Sequence, residues 1–268
     1  MTKQSLFDEI QKKKSYLAVG LDTDIHKIPK HLLSCKDPLF EFNKQIIDAT
    51  LPYTVSYKIN TAFYEALGSK GWESLEKTAA YLPHDVFKIA DAKRGDIGNT
   101  TDMYAKAFFE AMSFDAVTVS PYMGADSILP FLKYPQKWTI VLALTSNPSS
   151  ADFQLQTLSN TGSALFNTVL ESTSKLGSSE NTMYVVGATK AEELTEIRKI
   201  VPDHFLLIPG VGAQGGSLAE VTKRGKTKEC GLLINSSRNI IYASSGENFA
   251  KDAASAAQVL QEEMASYL

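Results

Sequence analysis

Eight short runs of aliphatic, β-branched and aromatic residues punctuate the chain, and their number limits its fold more than any other feature. In order they are SYLAVGLD (15–22), TVSYKIN (54–60), DVFKIAD (85–91), DAVTVS (115–120), WTIVLAL (138–144), MYVVGAT (183–189), FLLIPGV (205–211) and GLLINSS (231–237). Each is close to continuously apolar rather than alternating, the pattern of parallel strands packed against helices. Amphipathic segments lie between them: FEFNKQIIDATLP leads into the second run, GWESLEKTAAYLP into the third and TTDMYAKAFFEAMSF into the fourth. Pro52 and Pro83 fall where helices should stop. A polar, helix-like stretch at about residues 3–14 precedes the first run. Eight β–α units in 268 residues predict a (β/α)₈ TIM barrel, a single domain over residues 1–268. An open doubly wound sheet would place a glycine-rich turn after its first strand, where this chain has DTDIHKIPKH.

Composition narrows the class. A hydrophobic fraction of 44% suffices for one sizeable core. A net charge of −3 and a pI near 5.9 give no electrostatic case for nucleic acid or an anionic membrane. Cys35 and Cys230 lie far apart and outside any C-x-x-C spacing, so two reduced thiols are expected rather than a zinc site or disulfide framework. The N-terminal stretch lacks the apolar centre of a signal peptide, and no run approaches the ~18 residues that span a bilayer. A cytoplasmic protein without nucleic-acid or membrane partners is the expectation.

In a barrel, chemistry gathers at the C-terminal ends of the strands. Those ends carry Asp22, Lys58, Asn60, Asp91, Lys93, Ser120, Thr145, Ser146, Thr189, Gln214 and Arg238. Taken singly, an aspartate after a strand is better explained as a turn former or helix cap. The set is less easily explained so, because lysines do not form turns. Asp91 and Lys93 are two residues apart and should share a face, where opposite charges in contact attract by about 4 kcal/mol at an effective dielectric near 20. Lys58 on the neighbouring strand would extend them into an alternating array that keeps every member ionised. Such an array suits the expulsion of an anion followed by the supply of a proton.

IPGVGAQGGS (208–217) is glycine-rich and leaves the seventh strand. Alone it reads equally as a flexible turn. With Arg238 of NSSRNIIYAS at the next strand end, a phosphate cup is the better reading. SNPSSADFQLQTLSNTG (146–162) is a long polar candidate for a lid. His26, His31, His84 and His204 are expected in isolated surface or core roles.

DAKRGDIGNT (91–100) resembles the D-x-K-x-x-D-I-x-x-T motif of orotidine 5′-phosphate decarboxylases. VGLDTD, YKIN, LTSNP, VVGAT, PGVGAQGG and SSRNIIY extend the resemblance, in order, over nearly the whole chain, and the wording looks like the longer bacterial branch. The D-x-K-x-x-D core alone is shared with related sugar-phosphate decarboxylases. The resemblance implies decarboxylation of orotidine 5′-monophosphate to uridine 5′-monophosphate, the last step of de novo UMP synthesis, with no cofactor and no metal. It implies Lys93 as the acid that protonates C6 and Asp91 as the group against the substrate carboxylate. Lys58 would contact the ribose from within the array, and Asp22 would bind a ribose hydroxyl. Ser146, preferred to Thr145, would meet the pyrimidine, with Gln214 bridging base and phosphate. Arg238 would hold the phosphate, helped by the backbone of Gly212 and Ser237. Family members are dimers, so Asp96 and Thr100 would serve the active site of a partner subunit. The chain departs from many members in carrying SSR where a glycine or other small residue precedes the arginine.

Three other readings reuse the same residues. A magnesium-dependent decarboxylase of a keto-sugar phosphate would need a further acidic ligand, for which YKINTAFYE offers Glu65. A Schiff-base aldolase would use Lys58 or Lys93. A non-catalytic nucleotide-binding barrel would not need the Asp91–Lys93–Asp96 set. Arg94 has no task that the sequence assigns.

Overall fold

Each apolar run forms a strand. The computed structural model describes residues 1–211 and 215–268, so Gly212 and Gln214 lie outside the described residues. The strands are β1 (Leu17–Gly20), β2 (Ser56–Asn60), β3 (Phe87–Arg94), β4 (Ala116–Val119), β5 (Trp138–Leu144), β6 (Thr182–Val186), β7 (Phe205–Pro209) and β8 (Leu232–Ser236). They pair in parallel in chain order and close into a barrel, with Ala18 of β1 opposite Asn235 of β8.

The helices are α1 (Lys3–Lys13), α2 (Pro38–Thr50), α3 (Ala62–Glu65), α4 (Ser69–Tyr81), α5 (Gly98–Lys106), α6 (Leu129–Leu132), α7 (Leu165–Thr173), α8 (Leu194–Ile200), α9 (Leu218–Gly225), α10 (Arg238–Ile241) and α11 (Phe249–Ala265). Their ends obey local chemistry. The Asp37 carboxylate caps α2 by accepting from Phe40 N–H, and Pro38 occupies its first turn, where a missing N–H costs nothing. Pro52 and Pro83 follow the ends of α2 and α4 as expected.

Most strands are a residue or two shorter at one or both ends than the apolar runs, and two boundaries bear on candidate site residues. β6 stops at Val186, because Ala188–Glu193 winds into a 3₁₀ turn that carries Thr189 out of the strand. β3 runs past Asp91 to Arg94, which puts Lys93 within the strand rather than after it.

The barrel is held by large buried rings. Trp138 meets Phe87 and Phe205 edge-on at 6.0 and 6.4 Å between centroids, inside the preferred range for aromatic pairs. Phe42 of α2 stacks between Tyr242 and Phe249, at 5.9 and 5.1 Å, joining α2 to α11 across the β8–β1 seam. The Tyr242 hydroxyl accepts from Asp24 N–H at 2.7 Å and donates to the Asp22 carbonyl at 3.0 Å. Arg198 donates to the carbonyls of Val201, His204, Gly225 and Gly231, satisfying a buried cluster of acceptors beside β7 and β8. Cys35 and Cys230 are both free thiols. Among the described residues no helix is long and apolar enough to cross a membrane.

Candidate active site

Asp91 and Lys58 face each other because β2 and β3 pair in register, Lys58 opposite Ile89 and Asn60 opposite Asp91. The Asp91 carboxylate divides its oxygens. Oδ2 accepts from Lys58 Nζ at 2.9 Å, and Oδ1 from Lys93 Nζ at 2.5 Å. Lys58 also reaches Asp22 Oδ1 at 3.3 Å, so two lysines and two aspartates alternate along one line. Burial alone would drive Asp91 and Lys58 neutral. At Asp91 that pressure is the largest single influence, yet Lys58 and Lys93 together outweigh it and hold the carboxyl far below its ordinary range. At Lys58 burial likewise opposes the charge, and Asp91 and then Asp22 overcome it, raising the ammonium above its usual value. Lys58 and Asp91 therefore stay ionised at neutral pH although buried, and the Lys93 side chain is half exposed toward the mouth.

Lys93 does not sit in an ordinary strand conformation. Its φ is 49°, in the left-handed region that side chains with a Cβ enter at a cost of about 1–2 kcal/mol. The β3–β4 register shifts between Ala90 and Arg94, a bulge that re-aims the side chain beyond Asp91. The shared face expected from their spacing is thus reached through a bulge rather than through regular pleating.

The array opens into a cavity of about 300 Å³ at the C-terminal mouth. Asp22, Lys58, Asn60, Asp91 and Lys93 form one side, and Ser237 and Arg238 another. Leu142, Val185 and Leu207 supply an apolar floor, and Thr145 and Ser146 close the remaining edge. The Thr145 hydroxyl is engaged by its own loop, with Asn147 Oδ1 at 2.6 Å and Gln154 Nε2 at 2.9 Å. Two glycines make this packing possible. A Cβ on Gly20 would lie 1.8 Å from Ser237 Oγ, and one on Gly187 would lie 2.6 Å from Ser146 N.

Other predicted residues fall elsewhere. Thr189 and Ser120 do not line the cavity; Thr189 leaves with the 3₁₀ turn, and the Ser120 carbonyl accepts from the Ser127 hydroxyl at 3.1 Å. Asp96 turns back to accept from Ile97 N–H at 2.8 Å, and Thr100 is exposed on α5, so neither meets the array within this chain. Glu65 is paired with the Arg94 guanidinium. The acidic ligand that the keto-sugar phosphate reading needed is thus engaged by Arg94 and does not line the cavity.

Sequence reasoning missed three residues. Asn235 lines the cavity, buried, with an Oδ1 that has no hydrogen-bond partner; an asparagine inside the apolar run GLLINSS was the available signal. Gln154, in the candidate lid, holds Thr145 N–H at 2.7 Å. Thr118, fully buried, donates to Asp91 Oδ1 at 3.1 Å, and nothing in DAVTVS separates it from an ordinary strand threonine.

A closed parallel barrel with alternating charges converging at its C-terminal mouth is the architecture of a (β/α)₈ enzyme. The model of the orotidine 5′-phosphate decarboxylase / HUMPS family matches residues 15–253. An orotidine 5′-phosphate decarboxylase of Phocaeicola vulgatus is 60% identical over 267 residues, covering 98% of each chain. One of Christiangramia forsetii is 60% identical over 271 residues, covering 100% of this chain and 99% of its own. The solved structure of Leishmania donovani OMP decarboxylase matches with a TM-score of 0.81 at 33% identity, covering 98% of this chain and 99% of that one. The chain belongs to the orotidine 5′-phosphate decarboxylase / HUMPS family.

Proposed function

We propose that this chain removes the C6 carboxylate of orotidine 5′-monophosphate to give uridine 5′-monophosphate, the last step of de novo UMP synthesis, without a cofactor. The observation that carries the reading is the Lys58–Asp91–Lys93 array, aimed into a cavity with an apolar floor. Phosphate binding alone has no use for it.

The chemistry follows from charge. The substrate carboxylate lies against Asp91, and the bond from C6 to the carboxyl carbon breaks. Carbon dioxide departs and leaves its electron pair on C6, where no ring carbonyl is placed to delocalise it. The Lys93 ammonium stabilises that pair electrostatically and then donates the proton that fills C6. Lys58 and Asp22 bind the ribose side, and Ser146 meets the pyrimidine above Leu142, Val185 and Leu207. Arg238, with Ser237, Gly212 and Gln214, takes the phosphate. Binding energy gained there is spent at the reacting carbon, in part by ordering the 146–162 segment over the mouth.

The working form in this reading is a cytoplasmic homodimer. Ile97 and Met103, 52 and 60% exposed, lie near Asp96 and Thr100 in the chain, and Tyr122 and Met123, 87 and 46% exposed, follow β4; these apolar side chains are suited to contact with a second copy of the chain. Asp96 and Thr100 then complete the site of the partner subunit.

The test is direct. Purified protein is incubated with orotidine 5′-monophosphate and EDTA while the ultraviolet absorbance of the substrate is followed. Turnover is expected, undiminished by the chelator. Its absence in folded protein would overturn the reading, and its loss on chelation would favour a metal-dependent decarboxylase.

A further inference from the structure

Where β3 leaves its register with β4, three residues stand opposite one. Ala90 pairs with Val117 and Arg94 with Val119, so Asp91, Ala92 and Lys93 all face Thr118. A bulge of this kind leaves ladder groups without backbone partners, and a buried N–H must find another acceptor. The Lys93 N–H finds the Thr118 hydroxyl, at 2.9 Å. That hydroxyl gives its own proton to Asp91 Oδ1 at 3.1 Å, the oxygen that Lys93 Nζ meets at 2.5 Å. A hydroxyl has one proton to donate and lone pairs to accept with, so one orientation serves both contacts. Thr118 is 0% exposed, lies beneath the cavity rather than in its lining, and meets no competition from water there.

The residue it touches is the strained one. A lysine at a φ of 49° stays there only where its surroundings fix it. On the far side the Arg94 carbonyl accepts from Ser120 N–H at 2.7 Å, and the Arg94 guanidinium lies over the rings of Tyr104 and Phe108 while pairing with Glu65. Among the described residues, Thr118 is the one outside the pair that bonds both Asp91 and Lys93.

We propose that Thr118 is a positioning residue for the decarboxylation: its hydroxyl holds the Lys93 backbone in the left-handed conformation and the Asp91 carboxylate in line with Nζ. This rests on reading Lys93 as the proton donor. A valine has nearly the same shape and neither bond; a serine keeps the bonds and loses the methyl group.

The experiment compares Thr118→Val, Thr118→Ala, Thr118→Ser and Lys93→Ala with the parent enzyme, by steady-state turnover of orotidine 5′-monophosphate, UMP titration calorimetry and thermal melting. Misplacing a reacting group by an ångström costs on the order of 10²-fold, so Thr118→Val is expected to lower kcat by about that factor. KM and UMP affinity should stay within about threefold, because an interaction felt only on the way to the transition state is lost. Thr118→Ser should restore kcat. The acidic limb of the kcat profile should move to higher pH in Thr118→Val, which no longer donates to Asp91. Thr118→Ala, which relieves any misfit of valine, should show the same loss of kcat and keeps the test open if Thr118→Val fails to fold. A folded Val or Ala variant with parental kcat overturns the proposal, as does a serine variant as slow as the valine one. Near-normal turnover by Lys93→Ala would instead remove the proton-donor reading itself.

Discussion

The Lys93 ammonium sits 2.5 Å from Oδ1 of Asp91, two positions before it on the same strand. Neither charge is independent of the other, and the second carboxylate oxygen is already bound to Lys58. The pair sets the proton donor beside a carboxylate held far below its ordinary range, one that does not take up a proton at neutral pH.

Removing the donor should therefore separate catalysis from binding. Lys93→Ala is expected to lower kcat by at least about 10⁴-fold, the upper range for a lost general acid. UMP affinity, carried by the phosphate side and the apolar floor, should fall far less. Turnover by absorbance and UMP binding by calorimetry check the two halves. Parallel losses of both would mean that Lys93 contributes ground-state binding instead.

Ser237 and Gly20 fit together across the β8–β1 seam only because the glycine has no side chain. Gly20→Ala would place a Cβ 1.8 Å from Ser237 Oγ and 2.8 Å from Ser237 Cβ. The end of β8 must give way, and Arg238 moves with it. A loss of about tenfold in kcat/KM, or ~1.4 kcal/mol, is expected. Gly20→Ala combined with Ser237→Gly should recover most of it, since both close contacts vanish. A double variant no better than the single one would show that the damage lies elsewhere.

Asp96 and Thr100 make no contact with the array of their own chain, and Ile97 between them is exposed. If sites are shared, Asp91→Ala and Asp96→Ala subunits should complement each other. A heterodimer then holds one site with both substitutions and one with neither, so a random mixture should regain about a quarter of parental activity. Mixing after mild dissociation, with turnover as the readout, tests this. Activity no higher than that of the separate variants would place Asp96 outside the neighbouring site.

The barrel was legible because eight apolar runs leave few other closed solutions, and Asp91, Lys93 and Lys58 were legible because charges ending apolar strands have few structural excuses. Arg94 and Thr118 were not. The work of Arg94 depends on Glu65 of α3 and on Tyr104 and Phe108 beyond the turn, contacts that only the folded chain creates. Thr118 acquires its role from a shift in register, and a one-letter code does not display register. Thr189 was misplaced for a related reason. VVGAT reads as one run, yet Gly187 lets the Ser146 backbone approach and β6 ends at Val186.

His204 supplies a test of stability rather than catalysis. Both of its ring nitrogens are buried without a partner, and the ring lies 5.5 Å from Tyr184. Burial first, then the positive charges of Arg198 and Lys3, lower its pKa to about 4, against a weaker opposing pull from Asp203. The unfolded chain takes up this proton near the ordinary value of 6.5, and the folded chain only near 4. Between those values the unfolded state binds more protons, so stability falls as pH drops through the window and levels off below it. The Asp91 contribution is separate, being lost only as pH falls below about 3.8 toward its depressed folded value. Urea midpoints at pH 7.5 and 5 should therefore converge in His204→Leu relative to the parent, with the larger gain at pH 5. Equal declines in the two proteins would remove His204 as the source of the acid sensitivity.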